Sequence, residues 1–189
     1  TEALAMPGVH AVITGADFPG GGISGEIDGE GGGSISDQAK NVIARDKVLY
    51  HGHALAAVAA ISDRAADRAL DAIKVEYEVL SPVLDILEAI DPDSVLVNEN
   101  NYTKLPEKPD RPSNIANVGN LVRGDIQEGF ERADVIIERE YVCPMTHQGY
   151  IEPHSCLASV DEEGKGTVWC STQGHFEFRN QTASILKKN

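Results

Sequence analysis

The chain has 189 residues, of which 41% are hydrophobic and 24% charged, and its net charge is −14. This is the balance of a globular chain with a real core, long enough for one ordinary domain or two small ones. The acidity argues against nucleic acid or an anionic membrane as partner, since either would repel it, and no apolar run is long enough to span a bilayer.

The opening TEALAMPGVH lacks a charged leader and an apolar core and does not read as a signal peptide. EALAM reads instead as the end of a helix stopped by Pro7-Gly8, so a fragment is expected. VHAVITG (Val9 to Gly15) is a short strand. The stretch from Pro19 to Gly33 holds eight of the 18 glycines and reads as a surface loop. It lacks the Lys-Ser/Thr pair of a phosphate-cradling loop and carries three acids.

ALAAVAAIS (Ala54 to Ser62) is continuously apolar and small, as in a strand covered on both faces. Ser62 is placed to cap the helix DRAADRALDAI, whose Ala65, Ala69 and Ile73 line one stripe. KVEYEVL alternates, with Val75, Tyr77 and Val79 opposite Lys74, Glu76 and Glu78, and predicts a half-buried strand. Strand, helix, strand suggests a crossover unit. DILEAI gives a short helix. Residues 98–118 are polar and rich in proline, and are expected to run extended over the surface as a linker.

Beyond the linker, GDIQEGFERAD predicts a short helix, with Asp125 and Glu128 spaced as a capping box. DVIIEREYVC reads as a strand. SCLASV and TVWCST read as a hairpin turning through DEEGKG, and GHFEFRNQTASIL as a closing helix. Three cysteines, Cys143, Cys156 and Cys170, fall at no paired spacing, which fits reduced thiols in the cytoplasm better than a disulfide framework.

Chemistry-bearing residues concentrate in HQGYIEPHSC. His147, Glu152 and His154 are ligand types for zinc, but strand parity separates His147 from the other two, and neither HExxH nor a paired CxxC is present. HGH at 51–53 puts two imidazoles on one strand face, a weak chelate. The structural reading makes Glu152 an acceptor of backbone hydrogen bonds at a strand end and His154 a satisfied, partly buried histidine. In STQG (Ser171 to Gly174), Gln173 can cap a helix or donate an amide hydrogen bond to a ligand at a helix N-terminus.

Five stretches in order carry a resemblance: RDKVLYHGHALAAVAA, ADRALDAIKVEYEVLSPVLDILEAI, RGDIQEGFERADVIIEREY, HQGYIEPHSCLA and VWCSTQG. Together they resemble the molybdenum-binding large subunit of the xanthine dehydrogenase, aldehyde oxidase and carbon monoxide dehydrogenase family. The resemblance implies an α+β fold. Residues 1–97 would be an α/β hammerhead domain, 98–118 a linker, and 119–189 the start of a molybdopterin-binding domain. It implies oxidation of a small molecule at a molybdopterin centre, with iron–sulfur clusters and FAD on partner chains or domains.

Gln173 matches the glutamine of the family's Ser-Thr-Gln turn, whose amide approaches an oxo ligand of the metal, and Gly174 would let the backbone come close to the cofactor. Glu152 and His154 would position that turn, so that replacing Glu152 costs stability first. No catalytic residue and no metal ligand is expected within these residues; the general-base glutamate is expected beyond Asn189. Departures from the family pattern are the glycine-laden Pro19 to Gly33 loop and Ser81-Pro82 where Leu-Pro is common. The expected partners are the iron–sulfur and FAD units, the remainder of the molybdopterin-binding domain and a small-molecule substrate, without nucleic acid or membrane insertion. The residues by themselves are expected to be inactive, with an exposed apolar face where the remainder packs. Two other readings are a non-catalytic hammerhead-like interaction module and a small zinc hydrolase using His147, Glu152 and His154.

Overall fold

The computed structural model describes residues 2–18, 26–27, 33–34 and 40–187. These form small antiparallel sheets and short helices in two compact units. The described residues up to Ala116, together with those from Gly174 onward, make one; Asn117–Gln173 makes the other.

In the first unit a 3₁₀ turn covers Glu2–Ala5, where the end of a helix was expected, and a turn at Pro7-Gly8 follows it. Strand β1 (Val9–Thr14) follows. Two short strands, β2 (Glu26–Ile27) and β3 (Gly33–Ser34), pair antiparallel. The rest of the glycine-rich stretch, expected to be a surface loop, lies outside the described residues. Strand β4 (Ala56–Ala60) pairs antiparallel with β1, from Val9 opposite Ala60 to Thr14 opposite Ala56.

Helix α1 (Asp63–Asp71) is capped as predicted, the Ala65 N–H donating to Ser62 Oγ at 3.3 Å. It packs on β4, β1 and the opening 3₁₀ turn, and its Ala69 is fully buried; Ala3, Ile43 and Ala44 are the other buried apolar side chains among the described residues. The stripe of small side chains explains this: alanine lets the helix backbone lie close to the strand.

Two expectations fail here. β4 is covered on one face, with Ala57 and Ala59 exposed. Residues 74–80 join no ladder among the described residues and are exposed throughout, without the half-buried alternation expected; Val79 is 91% exposed. A strand needs a partner for its backbone groups as well as an alternating pattern, and among the described residues β4 pairs with β1 alone.

Helix α2 (Ile86–Ala89) begins at Asp85, whose Oδ1 accepts from the Leu87 and Glu88 N–H groups at 2.8 and 3.0 Å. The polar stretch after it is a pinned loop, not an extended run. Asn114 Oδ1 accepts from the Val97 N–H at 2.9 Å, and its amide donates to the carbonyls of Ala89 and Val95 at 3.2 and 2.9 Å. Asn101 Nδ2 donates to Ser113 O at 2.6 Å, and Thr103, itself buried, meets Ser113 Oγ at 2.6 Å. Side-chain amides and hydroxyls supply the partners that apolar packing would not, which is why a polar sequence still folds locally.

In the second unit helix α3 (Ile126–Glu131) starts at Asp125, which accepts from the Glu128 N–H at 3.0 Å. The return half of a capping box does not form: Glu128 Oε1 accepts from Arg132 one turn on, at 3.1 Å. Residues 134–143, expected to be a strand, join no ladder among the described residues, and Tyr141 and Val142 are exposed. The hairpin is as predicted. Strands β5 (Cys156–Val160) and β6 (Gly166–Cys170) pair antiparallel, from Cys156 opposite Cys170 to Val160 opposite Gly166. Asp161 closes the turn, its Oδ1 accepting from the Glu163 and Lys165 N–H groups. The closing helix α4 (His175–Ile185) is also as predicted and belongs with the first unit.

Candidate functional site

The Ser-Thr-Gln-Gly turn begins where β6 ends. Cys170 is the last ladder residue, Ser171 and Thr172 leave the hairpin, and Gln173 is the last residue of the second unit. The Gln173 side chain is exposed and makes no hydrogen bond to a described residue. Gly174 is the N-cap of α4 (φ −139°, ψ 79°); it makes no side-chain cap, and its carbonyl accepts from the Phe178 N–H at 2.9 Å. A Cβ at Gly174 would meet Glu177 Cβ at 3.6 Å, an ordinary contact, so the fold itself does not demand glycine there.

The HQGYIEPHSC stretch is an exposed segment leading into β5, not a strand. Its order comes from rings. Tyr150 lies 5.1 Å from His147 and 5.1 Å from His154, edge-on to the latter. The Gly149 N–H donates to His147 Nδ1 at 3.0 Å. Glu152 and His154 are both exposed, which corrects the expectation of a partly buried histidine beside a carboxylate at a strand end. The strand starts only at Cys156, so the parity argument that paired Glu152 with His154 has no ladder to act on. The spacing of these residues gives no sign that Tyr150 gathers the imidazoles.

HGH at 51–53 is likewise a turn. Gly52 sits at φ +87°, where a side chain would be strained, and the His53 N–H donates to Tyr50 O at 3.2 Å. His53 is buried and satisfied. Its Nδ1 accepts from the Leu49 N–H at 3.3 Å, which leaves the proton on Nε2 to donate to the Asn41 carbonyl at 2.9 Å. Its ring stacks on Tyr50 at 4.6 Å. His51 is exposed, so the two imidazoles have different surroundings and do not chelate. Among the described residues no group of three or more His, Cys, Asp and Glu side chains could hold a metal ion. The zinc set of His147, Glu152 and His154 is therefore not assembled.

Among the described residues, the one titratable group moved clearly from its ordinary range lies elsewhere. Lys47 Nζ donates to Glu99 Oε1 at 2.6 Å and holds that carboxyl below the usual glutamate value, helped by the residue's own backbone N–H. Lys47 also donates to Leu96 O at 2.9 Å, so the pair pins the loop to the segment before β4. This is a structural lock in the first unit.

What remains is an exposed amide on a turn with a glycine beside it.

Comparison with known proteins gives the same order of parts. Residues 1–81 match the family described as aldehyde oxidase and xanthine dehydrogenase, a/b hammerhead domain, and residues 107–189 match the molybdopterin cofactor-binding domain. A probable xanthine dehydrogenase subunit of Bacillus subtilis (strain 168) is 32% identical across 98% of this chain, which spans 22% of that protein. The nicotinate dehydrogenase large molybdopterin subunit of Eubacterium barkeri is 31% identical across 98% of the chain, which spans 39% of it. The xanthine dehydrogenase/oxidase of Gallus gallus is 30% identical across 98%, with 12% of its length spanned. The chain thus spans well under half of each of these relatives.

Proposed function

Since this chain belongs to the xanthine dehydrogenase and aldehyde oxidase family of molybdopterin proteins, we propose that it forms the hammerhead domain and the opening part of the molybdopterin-binding domain of a molybdenum hydroxylase large subunit. Residues 1–97 are the first part, 98–118 the link and 119–189 the second. The observation that carries the reading is collinearity: both domain matches occur in family order, and Ser-Thr-Gln-Gly lies inside the second.

The pterin-held molybdenum, when bound, supplies the two-electron oxidation of an electron-poor carbon in a small molecule. The chain supplies position and charge. Gln173 would hold the cofactor by donating its side-chain amide N–H, which would favour negative charge developing there. Gly174, with no side chain, would leave the backbone beside Gln173 open to the cofactor. Iron–sulfur clusters and FAD on partner chains or domains would be the groups that take up the electrons. We place the protein in the cytoplasm on its three cysteines, which fall at no paired spacing. No helix among the described residues is long and apolar enough to cross a membrane.

The test uses the full-length native protein that carries this chain. Stoichiometric molybdenum is expected on purification, and a protein without it sinks the reading. Gln173→Ala is expected to lower turnover by about 10²–10³-fold, the usual loss for one oriented donor, with the melting temperature unchanged. Gln173→Ala with full turnover would remove the amide from the site.

A further inference from the structure

The β5–β6 hairpin sets two thiols face to face. Cys156 and Cys170 are register partners in the ladder. Directly opposed residues of an antiparallel pair lie on one face with Cα atoms about 4.5–5.5 Å apart. That spacing falls inside the range of about 4.4–6.8 Å that a disulfide spans. Both thiols are free; Cys156 is exposed and Cys170 half-buried. Cys143, also free and exposed, lies outside the hairpin and has no place in this ladder.

Two thiolates on one face could instead begin a metal site. A closed zinc site needs four ligands, and among the described residues these two gain no third His, Cys, Asp or Glu. A pair of opposed, solvent-reachable thiols with no further ligand is suited to oxidation to a disulfide.

We propose that Cys156 and Cys170 form a redox pair that closes and opens a cross-strand disulfide by exchange with a small-molecule disulfide. The more exposed Cys156, as thiolate, attacks one sulfur of the small disulfide; that S–S bond breaks and one small thiolate leaves. Cys170, as thiolate, then attacks the Cys156 sulfur of the mixed disulfide and expels the second small thiolate. The two protons from the protein thiols go to the two leaving groups. The protein pair is oxidised by two electrons and the small disulfide is reduced by the same two.

The link would close the hairpin at its open end, next to Ser171 and three positions before Gln173. By loop-closure entropy a ring of about fifteen residues lowers the population of the opened hairpin roughly a hundredfold. The pair stands on the register of the hairpin and does not depend on the molybdenum reading.

The experiment takes the full-length native protein through a series of oxidised-to-reduced glutathione ratios. Samples are quenched with acid, alkylated, digested without reduction and mapped by mass. The expected product joins the Cys156 and Cys170 peptides, lacks two hydrogens relative to the thiols, and is reopened by reduced glutathione, while Cys143 stays alkylatable. Cys143→Ser keeps the link. Cys170→Ser, with its melting curve as a check on folding, leaves glutathione trapped on Cys156. The proposal is overturned if both thiols stay alkylatable at every ratio, if each takes glutathione without joining the other, or if Cys143 becomes the partner of either. None of these readouts involves molybdenum content or turnover.

Discussion

Two glycines that look alike in sequence answer to different neighbours. A Cβ at Gly15 would lie 2.6 Å from Arg45 Cγ, 2.7 Å from the Ala44 carbonyl oxygen and 3.0 Å from that of Ile43. Arginine can move aside, but the carbonyls belong to the backbone of the core segment. Gly15→Ala is therefore expected to destabilise the protein by about 1–3 kcal/mol, read from urea midpoints. Gly174 has only Glu177 Cβ nearby. Gly174→Ala is expected to leave melting unchanged and to weaken retention of molybdenum, which separates closeness to a cofactor from closeness within the fold. At Glu99 the lowered pKa has a sign that can be checked. The carboxylate is favoured by folding, so the contribution is present above the unfolded glutamate value and is lost as pH falls through the lower folded one. Lys47→Met should raise the Glu99 midpoint seen by NMR titration, and its stability difference from wild type should shrink as pH falls through that window.

At the scale of elements, the local signals were legible and the distant ones were not. Ser62, Asp85 and Asp125 each accept from an N–H two or three residues on, so a few residues of sequence contain both partners. Ser62→Ala is expected to cost about 1 kcal/mol, measured by thermal melting, because α1 loses the acceptor at its first turn. The β5–β6 hairpin was readable for the same reason, with Asp161 and Gly164 marking its turn. Pairing was another matter. KVEYEVL and DVIIEREYVC have the right alternation, yet nothing in the pattern names the strand that would receive their hydrogen bonds. HGH misled because alternation cannot distinguish a strand from a turn in which glycine takes a positive φ. Of the candidate site, the Ser-Thr-Gln turn was found through resemblance. The opposition of Cys156 and Cys170 could have been counted from the hairpin, but the unequal flanks hid it until register was fixed.

Taken whole, the chain leaves much apolar surface in water. In the second unit Leu121 is 97% exposed, Ile151 98% and Ile137 74%. Singly such residues are ordinary; in this density they mark a surface that packs against something. Residues 1–189 prepared alone are expected to bind a hydrophobic dye and to associate with rising concentration in sedimentation. The full-length protein should do neither. A monomeric, dye-free preparation of the 189 residues would show that these side chains find each other.

The pinned loop around Asn114 also bears on how the chain acquires its structure. Its bonds to Val97, Val95 and Ala89 bridge 17, 19 and 25 residues. β1, by contrast, has to wait for residues 56–60 before its ladder can form. Short closures cost little chain entropy and form fast. As the polypeptide leaves the ribosome, the segment from Ala89 to Ala116 holds its own hydrogen-bond partners before the β5–β6 hairpin has been synthesised. It can settle early, before the second unit and the closing helix α4 have been made.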